Sequence, residues 1–181
     1  MVKKTLKIYC FIICLVSCTE PIDFNQAEDI ELAPIQEASL IFFEAPASEF
    51  FIGGEEVSQS SDFVETNIFR GNFIKENLEK AEFVFEIINS INRSYQVEVD
   101  FFNDFGQLEH SLTLSSAASP TNADVFTKYT EVFQGRSLAA LLRTVRLEFT
   151  LTMLPGVTIN DDTPGRINLQ SKGVFYFNIK P

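Results

Sequence analysis

The chain has 181 residues, and its 25 acidic and 14 basic side chains give a formal net charge of −11. This balance argues against nucleic acid as a partner, because neutralising a phosphate backbone takes clustered Lys and Arg. It argues equally against membrane attachment through a basic patch, because anionic headgroups repel an acidic surface.

The chain starts with a basic stretch and then an apolar run. Lys3, Lys4 and Lys7 precede the apolar residues 8–16, and Ser17 follows them. A basic start, a short apolar core and a small residue before the cleavage point are typical of a secretory signal. The run is too short to span a membrane, which takes roughly 20 apolar residues. We predict residues 1–17 to be a signal peptide that is cut between Ser17 and Cys18.

The residues at that cleavage point, Leu15-Val16-Ser17-Cys18, resemble the lipobox of bacterial lipoproteins. The resemblance covers residues 1–18 and implies that the Cys18 thiol receives a diacylglyceryl group and that the new amine receives an acyl chain such as palmitate. Two or three acyl chains, at roughly 0.8 kcal/mol per buried methylene, would anchor the protein stably in a membrane. An ordinary secretory signal with a chance Cys is the alternative.

All three cysteines lie in this N-terminal region. Cys10, Cys14 and Cys18 would share one face of a helix, but their apolar setting without His or carboxylate neighbours argues against a metal cluster. After cleavage Cys18 alone remains, as a thioether, so we predict no internal disulfide in the mature chain.

Residues 18–35 are predicted to be the lipidated cysteine and an acidic tether. From Cys18 to Phe69 the chain has 12 acidic residues and no basic one, and removal of the signal brings the net charge to −14. Residues 19–34, fully extended at about 3.3 Å per residue, would reach roughly 50 Å. Thr19-Glu20-Pro21-Ile22-Asp23 loosely resembles the surface-export signal of lipoproteins in Bacteroidota-type bacteria. This implies the cell surface, and the inner leaflet of the outer membrane is the alternative.

Residues 36–181 are predicted to form a single β domain, because apolar and polar residues alternate along them. The alternation is clearest at 94–102 and 108–115, with turn residues at 103–107, so we predict a hairpin over 94–115. Strands at 144–154 and 166–179 are predicted to form a second hairpin with a longer loop. Weaker patterns predict strands at 38–44, 63–73, 81–91 and 125–133.

One short helix is predicted at 138–142, capped by Ser137, and residues 72–80 could add a helical turn. About eight strands predict an all-β fold, a two-layer antiparallel β-sandwich of Ig-like architecture, with a small barrel as the alternative. The 19 Phe and no Trp indicate a Phe-rich core. Three pairs could instead expose one ring each as a contact patch for a partner: Phe42-Phe43, Phe50-Phe51 and Phe101-Phe102.

The residues suited to catalysis are few. His110 is the only histidine and lies on the apolar side of its predicted strand, which favours a structural role. No Gly-x-Ser-x-Gly motif is present to mount a serine nucleophile, and one His cannot form a His-rich zinc site. Paired carboxylates could still serve a glycosidase or a glycan-binding site. Loop residues Asp161, Asp162 and Asp104 could bind calcium, or could make ordinary turn hydrogen bonds.

The chain also resembles small cell-envelope lipoproteins of Bacteroidota-type bacteria, which have an acidic linker and a C-terminal β domain. The prediction is therefore a non-enzymatic lipoprotein of the outer membrane, a binding or adaptor module that needs no cofactor and meets the membrane through the lipid on Cys18. A partner protein in the envelope is expected. The alternative is a carboxylate-dependent enzyme or binding module for envelope or extracellular glycans.

Overall fold

A computed structural model describes residues 32–179 as two antiparallel β-sheets that pack face to face. This confirms the predicted all-β two-layer sandwich. The predicted signal peptide, Ser17, Cys18 and most of the tether lie outside the described residues.

The first sheet has four strands, and its two central strands are the most buried. β5 (Leu78–Asn89) and β10 (Arg166–Phe177) form its middle, and β1 (Ile35–Pro46) and β8 (Val125–Phe133) form its edges. Adjacent strands are antiparallel throughout. The strands predicted at 38–44, 81–91 and 125–133 are confirmed.

The second sheet also has four strands: β4 (Gln59–Glu65), β6 (Tyr95–Phe102), β7 (Leu108–Ser116) and β9 (Arg146–Met153). Their order along the sheet is β4, β9, β6, β7. β6 and β7 form the hairpin predicted over 94–115. A two-residue ladder joins β2 (Phe51–Ile52) to β3 (Glu55–Glu56) beside the sandwich.

The strand predicted at 63–73 is wrong beyond residue 65, and the observed strand begins earlier, at Gln59. β4 ends at Glu65, a 3₁₀ turn follows at Ile68–Arg70, and α1 covers Asn72–Asn77. Phe69 leaves the strand path and inserts into the core, where it is 1% exposed. Burial of the Phe69 ring favours a turn at this point, although the alternation of apolar and polar residues predicts a continuing strand. The helix predicted at 138–142 is present as α2 (Arg136–Leu141).

The predicted hairpin over 144–179 is also wrong, because β9 and β10 lie in different sheets. β9 pairs with β4 and β6, and β10 pairs with β1 and β5, so neither strand has a free edge for the other. Residues 154–165 cross from one layer to the other. Alternation shows which face of a strand is buried, but it carries no information about which strand lies beside it.

The core is built largely from Phe rings, as predicted. Phe83 is fully buried, and its ring centroid lies 5.0–6.5 Å from four other Phe rings, within the range of favourable aromatic packing. These neighbours come from both sheets and from the 3₁₀ turn: Phe69, Phe101, Phe133 and Phe175.

Candidate functional site

The two long sides of the sandwich differ, and the side formed by β7 and β8 is closed. His110 on β7 and Glu131 on β8 are joined across the two sheets by a hydrogen bond of 2.8 Å between Nε2 and Oε1. The His110 ring also packs against the rings of Phe101 and Phe133, at centroid distances of 5.5 and 5.0 Å. These contacts agree with the structural role predicted for His110.

The opposite side, between β1 and β4, is open. Two adjoining cavities of about 330 and 260 Å³ lie there, and both are lined by Leu40, Val64 and Phe149. The inner walls consist of core side chains from both sheets, among them Leu151 and Leu169. We call this feature the β1–β4 slot. It gives a ligand direct access to the apolar interior of the sandwich.

The slot is open because β4 supplies little side-chain bulk. All seven residues of β4 are exposed. Ser60, Asp62 and Val64 pair with buried residues of β9, so their side chains point toward the interior. A serine, an aspartate and a valine are too small or too polar to cover the gap to β1.

Asp62 places a carboxylate at the mouth of this apolar slot. Its Oδ1 accepts the backbone N–H of its neighbour Phe63 at 2.8 Å, and among the described residues it makes no ion pair. The two acids of β1 are paired, Glu37 with Lys172 and Glu44 with Arg166. No Lys or Arg is among the residues that line the slot, so Asp62 has no basic neighbour within it.

Aromatic side chains flank the mouth. Phe42 on β1 lines the slot and is 68% exposed, and Phe63 on β4 is 52% exposed. The Arg146 guanidinium stacks 4.6 Å from the Phe63 ring centroid, which holds that ring in place. Of the three predicted Phe pairs, only Phe42-Phe43 has an exposed member. Phe50 and Phe101 are buried beside half-buried partners.

A third cavity, of about 560 Å³, lies at one end of the second sheet and is polar. Arg70, Arg146, Glu65 and Asp104 are among its lining residues. Asp104, one of the calcium candidates, forms an ion pair with Arg70. The turn that carries Asp104 is held by Asn103, whose side chain accepts two backbone N–H groups.

The other two calcium candidates lie at the opposite end of that sheet. Asp161 and Asp162 follow Asn160, whose Oδ1 accepts the Asp162 N–H at 3.0 Å and the Thr163 hydroxyl at 3.1 Å. This is the turn chemistry that the sequence offered as the alternative. The three Asp candidates are not brought together, and residues 32–179 contain no group of three His, Cys, Asp or Glu placed to hold a metal.

Sequence reasoning missed the slot. Its lining residues come from β1, β4, β6, β9 and β10, which are far apart in the chain. One signal was present: residues 59–62 are Gln, Ser, Ser and Asp, so this stretch lacks the apolar positions that a covered strand would need.

Comparisons with known proteins assign no family to this chain. A scan of protein families finds no match, and no curated protein matches the chain. Within the described part of the chain, no helix has the length and apolar character needed to cross a membrane.

Solved structures do match the fold, at low similarity. The chain is similar to VP2 of the infectious bursal disease virus subviral particle (8% identity, TM-score 0.37, 84% of this chain and 34% of that one). It is also similar to a CBM4 structure (11% identity, TM-score 0.31, 61% of this chain and 56% of that one). A further match is latent PorU of Porphyromonas gingivalis (13% identity, TM-score 0.35, 83% of this chain and 13% of that one). The chain spans about a third of the length of the viral protein. At this level of likeness, none of these proteins transfers its activity or partner to this chain.

Proposed function

We propose that this protein is a lipid-anchored, non-enzymatic binding module of the bacterial outer membrane, and that the β1–β4 slot is where it binds its partner. The observation that carries the proposal is the access that the slot gives to the core. Phe149, Leu151 and Leu169 are 5–8% exposed and line an opening that no side chain of the described residues fills. Concave apolar openings with a few polar groups are the usual form of a binding site.

The anchor part of the proposal is supported by the N-terminal sequence. Leu15-Val16-Ser17-Cys18 resembles a lipobox, and the acidic residues that follow are predicted to form a tether that holds the domain away from the membrane. The acidic surface leaves the lipid on Cys18 as the means of attachment.

Binding is favoured over catalysis by the chemistry of the slot. Asp62 is the one ionisable side chain among the residues that line its larger cavity, and Glu65 is the one that lines the smaller. The two lie three residues apart on β4, so their side chains point to opposite faces of the strand and cannot flank one bond. A glycosidase needs two carboxyl groups about 5–10 Å apart across the scissile bond. His110, the sole histidine, lies on the opposite side of the sandwich and is hydrogen bonded to Glu131.

The proposal is tested by blocking the slot. Val64→Glu places a second carboxylate in both cavities, and Val132→Glu makes the same change at an exposed position of β8, on the closed side. We expect wild type and Val132→Glu to capture the same envelope protein from detergent-solubilised membranes, and Val64→Glu to lose it. Equal capture by both variants, with equal thermal midpoints, would show that the slot is not the binding site.

A further inference from the structure

The free edge of β4 has a defined hydrogen-bonding pattern. The Thr66 N–H donates to the Val145 carbonyl at 2.8 Å, and the Ser58 carbonyl accepts the Met153 N–H at 2.7 Å. Because bonded pairs alternate along an antiparallel ladder, the even-numbered residues of β4 direct their backbone groups toward β9. The N–H and C=O groups of the odd-numbered residues therefore face outward along the open side: Gln59, Ser61, Phe63 and Glu65.

The other three sheet edges are protected by features that β4 lacks. β1 has a bulge at Leu40, where the register with β10 shifts, and β7 has one at Glu109, where the register with β6 shifts. β8 carries Lys128 and is bridged to β7 through Glu131. Bulges, lysines, covering elements and inward-pointing charges are the usual protections of an edge, and of these β4 has only the inward-pointing Asp62. β4 pairs with β9 in unbroken register and contains neither Pro nor Lys.

The Asp62 side chain forms a hydrogen bond with one of the outward-facing backbone groups of β4. Its carboxylate accepts the outward N–H of Phe63, a donor that a neighbouring strand would otherwise use. A strand that pairs with β4 must displace this carboxylate, and a basic side chain on that strand would then hold the carboxylate in a new ion pair. The edge is therefore selective for a strand that brings a cation.

We propose that an extended, basic segment of a second envelope protein adds to β4 as a fifth strand of the second sheet. Its alternate apolar side chains enter the β1–β4 slot, and a Lys or Arg among them meets Asp62. Main-chain hydrogen bonds supply affinity in such strand addition, and pockets for alternate side chains supply specificity. This inference rests on the proposed function, because it names the occupant of the same slot.

Charge favours this occupant over two others. A second copy of the chain pairing antiparallel through the full length of its own β4 would set Asp62 against Asp62, and like charges facing each other destabilise a strand pair. A fatty acid would bring its carboxylate close to that of Asp62, and no Lys or Arg lines the slot to neutralise the two charges. A basic peptide strand matches both the apolar slot and the Asp62 carboxylate at its mouth.

The test uses the full-length protein in detergent micelles and a fluorescein-labelled nine-residue peptide of alternating valine and threonine with lysine at both ends and in the centre. Binding is followed by anisotropy. Ser61→Pro removes one outward N–H, and Ser61→Ala removes the same hydroxyl but keeps the N–H. We expect Ser61→Pro to bind the peptide at least tenfold more weakly than Ser61→Ala, with equal thermal midpoints confirming that both variants are folded.

The role of Asp62 is tested with a second peptide that carries glutamate in place of the central lysine. Wild type is expected to bind the lysine peptide at least tenfold more tightly, and Asp62→Asn to remove most of that preference. Equal affinities for the two peptides, or no binding of the lysine peptide at millimolar concentration, overturn the proposal. Occupation of the slot by octylamine that the lysine peptide does not displace would assign the slot to an alkyl-chain ligand and overturn strand addition as well.

Failure of strand addition can be distinguished from failure of the proposed function. If Ser61→Pro still captures the envelope partner and Val64→Glu does not, the slot binds that partner by another mode and strand addition is wrong. If Val64→Glu also captures it, the proposed function fails too.

Discussion

The guanidinium of Arg93 and the carboxylate of Glu56 form a two-pronged ion pair beneath the surface, with Nη1–Oε1 and Nη2–Oε2 both 3.2 Å apart. Arg93 Nε also donates to the Leu154 carbonyl at 2.5 Å, and Nη1 donates to that of Val157. Glu56 accepts the Ile159 N–H at 2.6 Å. This pair ties β3 and the β5–β6 turn to the segment that crosses between the sheets.

Replacement of Arg93 should therefore destabilise the domain. Its side chain is 7% exposed, and Arg93→Met leaves two carbonyls and a partly buried carboxylate without their donor. We expect a loss of about 3 kcal/mol in the free energy of unfolding, measured by urea denaturation. Arg136→Met, at an exposed position, is the control and should change stability little. A loss below about 1 kcal/mol for Arg93→Met would contradict the idea that the Arg93–Glu56 pair stabilises the contact between these segments.

Gly165 should tolerate no side chain, because the backbone is crowded there. Its φ is +103°, and a Cβ would lie 2.4 Å from the Ser90 carbonyl oxygen. We expect Gly165→Ala to cost about 2 kcal/mol or more, through strained backbone and displacement of Ser90. Gly71→Ala is the matched control, since Gly71 has φ −62° and a Cβ there would have its nearest contact at 3.9 Å. Equal thermal midpoints for the two variants would contradict this prediction, because they would mean that the backbone around Ser90 shifts at no cost to make room for the methyl group.

Glu109 should make the protein more sensitive to acid. Hydrogen bonds from Arg143 and Asn103 lower the pKa of the Glu109 carboxyl below its ordinary value of 4.5. A lowered folded-state pKa contributes stability above the unfolded value, and that stability disappears as the pH falls through the folded value. Between neutral pH and about pH 3, wild type should therefore lose more stability than Glu109→Gln. Glu76→Gln, at an exposed residue, serves as the control in the same urea titrations. Parallel pH profiles for wild type and Glu109→Gln would rule out this contribution.

If Cys18 carries the lipid anchor, its replacement should release the protein from the membrane fraction. Cys18→Ala should abolish incorporation of labelled palmitate and move the protein from the membrane pellet to the soluble fraction. The measurement is sedimentation after a carbonate wash, with Cys14→Ala as the control because that residue lies in the predicted signal. A Cys18→Ala protein that still sediments with washed membranes would disprove the anchor.

Strand positions could be predicted from the sequence because alternation is a local property. β8 lies where the pattern placed it, at 125–133, and the β6–β7 hairpin follows from two alternating runs around a turn. The apolar side of a strand must be buried whichever strand lies beside it. The turn chemistry at Asn160 is equally local, since its side chain bonds groups two and three residues away.

Strand partners and the slot could not be predicted in this way. The mistaken pairing of β9 with β10 arose because nearness in the chain does not set nearness in a sheet. Leu40, Val64 and Phe149 look like ordinary core positions in the sequence, and the tertiary structure alone shows that they meet at an opening.

The sequence by itself determined the all-β class, the excess of acidic residues and the positions of the three cysteines. The predicted lipid anchor at Cys18 rests on the sequence alone. The tertiary structure decided which side of the sandwich stays open. That decision depends on how well the side chains of β1 and β4 fill the gap between the sheets. Ser60, Asp62 and Val64 are too small or too polar to fill it, and this becomes evident only once β4 is placed beside β9 with these side chains facing inward.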